Sequence, residues 1–153
     1  MEYLGVTCEE IAFEKAGIFK AGIPAVIGES DAAIRALLAT LAREHGAVPV
    51  RLVHDELELR GVEVRPDGTR FQLRNAREPG GRHLSTLGGT TLHTPLVGQH
   101  QAANAAVALT MLDALPSDLK PSDAQVVAGL GRVRLRGRFQ RQGKFLFDVA
   151  HNP

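Results

Sequence analysis

The chain has 153 residues, 44% hydrophobic and 23% charged, with a formal net charge of +1. That length supports one ordinary domain with its own core, and the composition is that of a globular protein. The small net charge excludes a global pull toward nucleic acid or an anionic membrane, and no apolar run approaches the roughly 18–20 residues that span a bilayer. Met1-Glu2 does not begin a basic-then-apolar secretory signal, and the single cysteine, Cys8, excludes an internal disulfide and a Cys-rich zinc site. A cytoplasmic setting is expected.

Thr7-Cys8-Glu9-Glu10 has the spacing of a capping box, so a helix is predicted from here. Ile11, Ala12, Lys15 and Ile18 continue it at helical spacing until Gly22 and Pro24. Pro24 to Gly28 reads as a short buried strand. Asp31 caps a second helix whose stripe is Ile34, Leu37, Leu38 and Leu41, ending at Gly46. Val48 to Val53 is the next strand, and this βαβ rhythm implies a parallel pairing. Leu57 to Val64, Phe71 to Arg74 and His83 to Leu87 are short and partly alternating, with turns at Pro66-Asp67-Gly68 and Pro79-Gly80-Gly81. They predict an antiparallel extension. Gly98 to Leu115 is a long Ala-rich helix, and Ser122 to Leu130 another. Phe139-Gln140 and Lys144 to Val149 predict two strands joined at Gly143.

Four segments carry chemistry. In Glu14-Lys15-Ala16-Gly17-Ile18-Phe19-Lys20, Lys15 taken alone is a surface lysine with its stem on the helix. In Gly98-Gln99-His100-Gln101-Ala102-Ala103-Asn104 a glycine precedes a helix, allowing close approach of a ligand to the backbone. His100 and Asn104 there share one face. Arg136-Gly137-Arg138-Phe139-Gln140 offers forked, permanently charged donors suited to phosphate. Asp148-Val149-Ala150-His151-Asn152-Pro153 ends a strand in polar groups, where ligands collect in α/β folds. Arg132, Arg134, Arg136, Arg138, Arg141 and Lys144 fall within thirteen residues. Without interleaved aromatics for base stacking, this run reads as a solvated interdomain linker rather than a nucleic-acid footprint. His45, His54, His83 and His93 lack metal-ligand spacing.

In this order the segments resemble the folylpolyglutamate synthase/dihydrofolate synthase family, within the wider Mur ligase group. The resemblance implies an ATP- and Mg²⁺-dependent ligase that adds L-glutamate to folate or dihydropteroate through an acyl-phosphate. It implies that Lys15 is carbamylated and acts in catalysis as a metal ligand, since Mg²⁺ takes hard oxygen ligands and an ammonium cannot serve. Forming the carbamate needs a neutral amine, hence partial burial or a nearby cation. By the same resemblance Asn104 contacts adenine, Arg138 binds ATP, Asp148 contacts nucleotide, and His151 lies by the γ-phosphate and the acyl-phosphate. His100 and Gln101 shape the site or touch nucleotide. Three positions depart from the family pattern: Leu135-Arg136 stands for a Trp-Pro pair, Gln140 for a common glutamate, and Val149 for glycine.

No Gly-x-x-x-x-Gly-Lys-Ser/Thr motif occurs in the 153 residues. The expected fold class is therefore α/β, the second half of a Mur-ligase-type ATPase domain with a mostly parallel sheet, helices and an antiparallel extension. Residues 1–136 belong to that domain, and 137–153 are the hinge and first strand of a Rossmann-like C-terminal domain. The chain is expected to be an internal piece, inactive by itself, of an enzyme that is monomeric when intact and binds neither nucleic acid nor membrane. Two alternatives are a Mur-type cell-wall or cyanophycin-type ligase, and a non-catalytic domain that binds an acidic partner through its arginines.

Overall fold

In a computed structural model of the chain, residues 7–76 and 87–149 are described. Helix α1 (Cys8–Ala16) opens on the expected capping box: the Glu10 N–H donates to Thr7 Oγ1 at 3.2 Å and the Thr7 N–H to Glu10 Oε2 at 3.2 Å. It is shorter than its spacing predicts. The N–H groups of Gly17, Ile18 and Phe19 each bond back three residues, to Glu14, Lys15 and Ala16, which tightens the last turn and ends the helix. Ile18 thereby leaves the helical stripe and stands 75% exposed.

Strand β1 (Ala25–Ile27) and strand β2 (Val50–Leu52) pair in parallel, with Ala25 opposite Val50. The crossover between them is α2 (Ala32–Glu44), capped by Asp31, whose Oδ1 accepts from the N–H groups of Ala33 and Ile34. Ala39 and Ala42 of this helix bury against Ala25 and Ile27 in a small core of their own. β2 stops one residue short of its expected end because Val53 begins a helical turn, α3 (Val53–Glu56).

The larger core lies between the antiparallel sheet and a helix. β3 (Leu57–Arg65), β4 (Gly68–Asn75) and β5 (Thr91–Thr94) form a meander in that order, with a register shift between Arg60 and Glu63. Phe71, Leu73 and Leu92 on its inner face meet Ala102, Ala105, Ala106 and Leu109 of α4 (Gln99–Asp113). Small alanines let the helix lie close to the sheet, and burial of these apolar surfaces supplies the main driving force. Of the strand predicted at His83 to Leu87, residues 83–86 lie outside the described residues and Leu87 is a buried turn residue; Thr91–Thr94, which the alternation did not single out, pairs with β4. In balance the architecture is mixed α/β; among the described residues one strand pair is parallel and the other pairs are antiparallel.

An ionic network ties the two cores together. Arg51 of β2 donates from Nε to Glu56 Oε2 at 3.0 Å and from Nη1 to Asp113 Oδ2 at 2.7 Å, and Lys120 Nζ stands 3.4 Å from Asp113 Oδ1. Burial opposes the charge on Arg51, but its hydrogen bonds to Glu56 and Asp113, with their opposite charges, outweigh this and hold its pKa above the ordinary value. α5 (Asp123–Leu130) follows, with a second capping box between Ser122 and Gln125. β6 (Gln140–Gln142) and β7 (Phe145–Phe147) then form the expected hairpin, turning at Gly143 with φ +59°. No helix among the described residues is long and apolar enough to cross a membrane.

Candidate functional site

The loop Leu96-Val97-Gly98 leads from β5 into α4 and is held from the opposite strand. Thr69 of β4 is fully buried, and its Oγ1 lies 2.8 Å from the Leu96 carbonyl oxygen and 3.2 Å from that of Gly98. The same hydroxyl accepts the Gly98 N–H at 3.1 Å. One side chain thus ties a donor and an acceptor of this half-buried backbone turn to the neighbouring strand. Gly98 has φ +132°, and a Cβ there would stand 2.5 Å from the His100 ring. The conformation therefore favours glycine here, while the exposed His100 ring could turn aside from a Cβ.

Within α4 the polar side chains form a chain. Asn104 Nδ2 donates to Gln101 Oε1 at 3.4 Å, and Gln101 Nε2 lies 2.8 Å from His100 Nε2. An amide nitrogen only donates, so His100 accepts at Nε2 and carries its proton on Nδ1. Gln101 is 5% exposed, whereas His100 and Asn104 face solvent. The sequence placed His100 and Asn104 on one face; the buried Gln101 connects them and sets their orientation.

The second half of the site is the turn at Gly137 to Gln140. Gly137 has φ +68°, and Phe139, a non-glycine residue, has φ +51°. Three bonds hold this left-handed backbone. Asp148 Oδ2 accepts the Phe139 N–H at 2.9 Å, Gln140 Oε1 accepts the Gly137 N–H at 3.1 Å, and the Val149 N–H donates to the Gly137 carbonyl at 2.8 Å. Gln140 and Val149 both have local work here. The Gln140 amide oxygen accepts a bond that a glutamate oxygen would also accept, and Val149 packs where a Cβ on Gly137 would come within 2.8 Å.

Two adjoining cavities bring these pieces together. One, of about 230 Å³, lies between Leu96 and Val97 and the segment bearing Arg134, Arg136, Arg138 and Phe139. The other, of about 630 Å³, is lined by Gly137, Phe147, Asp148 and Val149. Arg136 and Gln140 line both. The α4 lead-in, Arg138 and Asp148 therefore share one region. Lys15 lines neither cavity and is exposed on the last turn of α1, so of the two conditions expected to favour its carbamylation, partial burial and a nearby cation, the first is not met. His151 lies outside the described residues. Thr69 was missed by sequence reasoning, because a threonine inside a strand carries no signal of the loop it holds.

The groups lining the cavities suit the phosphate end of a nucleotide, with guanidinium forks beside apolar walls, whereas His100, Gln101 and Asn104 line neither cavity. The lining groups do not by themselves suit Mg²⁺. Among the described residues no three His, Cys, Asp or Glu side chains come together as a ligand set for a Lys15 carbamate to join.

No family profile matches the chain. It is 36% identical over 157 aligned residues to the dihydrofolate synthase/folylpolyglutamate synthase of Escherichia coli K12, covering 99% of this chain and 32% of that protein. Against the Bacillus subtilis enzyme of the same name it is 31% identical, covering 99% of this chain and 34% of the relative. A solved Mycobacterium tuberculosis folylpolyglutamate synthase in complex with ADP superposes with TM-score 0.70 at 28% identity, over 99% of this chain and 33% of that one. Over 99% of its own length the chain is similar in sequence and in fold to dihydrofolate synthase/folylpolyglutamate synthases, and it spans about one third of the length of these relatives.

Proposed function

We propose that this chain supplies the nucleotide-facing part of an ATP-dependent ligase that joins L-glutamate to a folate or dihydropteroate carboxylate. The observation that carries this reading is the convergence of the α4 lead-in, Arg138 and Asp148 on adjoining cavities, in a chain whose relatives bear this activity in their names. The ADP held by the Mycobacterium tuberculosis relative supports a nucleotide ligand. We assign residues 1–136 to the ATP-binding domain and 137–153 to the hinge and first strand of the glutamate-ligase domain. The intact enzyme would act as a cytoplasmic monomer.

Bound ATP supplies an electrophilic γ-phosphorus and ADP as leaving group. A substrate carboxylate oxygen attacks that phosphorus, giving an acyl-phosphate. The glutamate nitrogen then attacks the acyl carbon, loses a proton, and phosphate departs with the original carboxylate oxygen. The chain's residues position and neutralise charge in this sequence. Arg138 binds the phosphates, Asn104 the adenine edge, and Asp148 the nucleotide while holding the hinge turn. His100 and Gln101 shape the site or touch the nucleotide, and His151 attends the phosphoryl group. Lys15 as a carbamate is assigned to Mg²⁺; the described residues do not complete that site, and no step is derived through the ion.

The test is ADP release by the full-length protein. Release is expected only with a pterin carboxylate and L-glutamate together, and Lys15→Ala should reduce it on the order of 100-fold. No turnover with either dihydropteroate or tetrahydrofolate would sink the folate reading. Full turnover in the variant would return Lys15 to the role of a surface lysine.

A further inference from the structure

We propose that Arg136 is a second anion-binding residue, which works beside Arg138 to grip the polyphosphate end of a nucleotide; the inference rests on the nucleotide reading of this site. Its basis is placement and charge. Arg136 lines the 230 Å³ groove together with Arg138, and it also lines the 630 Å³ cleft that contains Asp148. It stands between the two, where a ligand passing from one to the other meets it.

Arg136 is exposed and has no carboxylate partner among the described residues. That contrasts with Arg60, Arg65 and Arg70 on the antiparallel sheet, each paired with a nearby acid. Arg134, the other arginine of the groove, donates to the Val133 carbonyl. No acidic residue occurs between Asp123 and Asp148 in the sequence, and Asp148 turns its carboxylate to the Phe139 N–H without an ion pair to Arg136 or Arg138 among the described residues. Two unpaired guanidinium groups two residues apart, with Leu96, Val97 and Phe139 as apolar walls, match a ligand with a planar apolar body and several adjacent negative charges. A nucleoside triphosphate has that chemistry. A single carboxylate or a monophosphate needs only one such fork.

The measurement is equilibrium binding of ATP and AMP to the full-length protein, for wild type, Arg136→Gln, Arg136→Lys and Arg138→Gln. Arg136→Gln is expected to weaken ATP about tenfold and AMP less than about twofold, with Arg136→Lys between wild type and glutamine. ATP affinity unchanged in Arg136→Gln, while Arg138→Gln is impaired, would overturn the proposal and leave the nucleotide reading standing. Equal weakening of ATP and AMP would also overturn it, since Arg136 would then act on shape rather than on the phosphates. So would an Arg136→Gln variant that spares ATP and instead raises KM for a polyglutamylated acceptor. ATP binding unaffected by both variants would overturn the proposal and take both arginines out of the nucleotide site, whereas no ATP binding to wild type would overturn the nucleotide reading itself.

Discussion

Replacing Arg138 with alanine in the full-length protein is expected to lower kcat/KM for ATP on the order of 100-fold while leaving stability within about 0.5 kcal/mol of wild type. The two halves of this expectation have separate causes. Arg138 is exposed and makes no ion pair among the described residues, so the folded chain loses little when it is removed. Its backbone neighbour is a different matter. The left-handed Phe139 is held by Asp148 and not by the arginine side chain, so the turn survives the substitution. What the proposed site would lose is a planar, permanently charged fork, whose charge-assisted bonds to a phosphate are stronger than neutral ones. Arg138→Lys should recover only part of the loss, because an ammonium is a point charge without the fork. Steady-state kinetics at saturating second substrate, with denaturant unfolding alongside, decides it. Near-normal kinetics in the alanine variant would remove Arg138 from the site.

Arg51→Met should destabilise the protein by about 3 kcal/mol, the largest stability effect expected from a single polar substitution here. Asp113 is only 7% exposed at its side chain and would keep just the longer contact with Lys120. A buried carboxylate stripped of its main partner is costly. The figure sits at the low end of the range for fully buried pairs, because Arg51 and Glu56 retain 18% and 29% side-chain exposure. The double variant Arg51→Met with Asp113→Leu should regain much of the loss, since it removes the stranded carboxylate. Urea midpoints at unchanged slope would measure both. A double variant no better than Arg51→Met alone would show that packing, not charge pairing, carries the effect. The consequence reaches the site, because the network fixes the far end of the helix whose first turns carry His100, Gln101 and Asn104.

The local signals in the sequence were faithful where they concern a few adjacent residues. Thr7 with Glu10, Asp31 before its stripe, and Ser122 with Gln125 all cap as their chemistry demands. Gly143 turns the final hairpin for the same reason. Signals weakened where distant residues decide. Thr91 to Thr94 lacks a run of large apolar residues, yet it forms a strand because β4 offers it an open edge and Leu92 a buried place. Arg51 meets Asp113 across 62 residues, a separation at which no spacing rule operates. The motif order identified the candidate residues, and the structure gathers Arg138, Asp148 and the α4 lead-in. It leaves Lys15 exposed and apart from the two cavities, which side-chain pattern alone could not reveal.

The most direct test of acyl-phosphate ligation is oxygen transfer. The full-length protein is given ATP, L-glutamate and a pterin substrate whose reacting carboxylate carries ¹⁸O at both oxygens, and the released phosphate is analysed by mass spectrometry. One ¹⁸O in each phosphate formed is the predicted result, because the carboxylate oxygen that attacks the γ-phosphorus leaves with it. Phosphate released with no label, at a rate matching amide formation, would contradict the account.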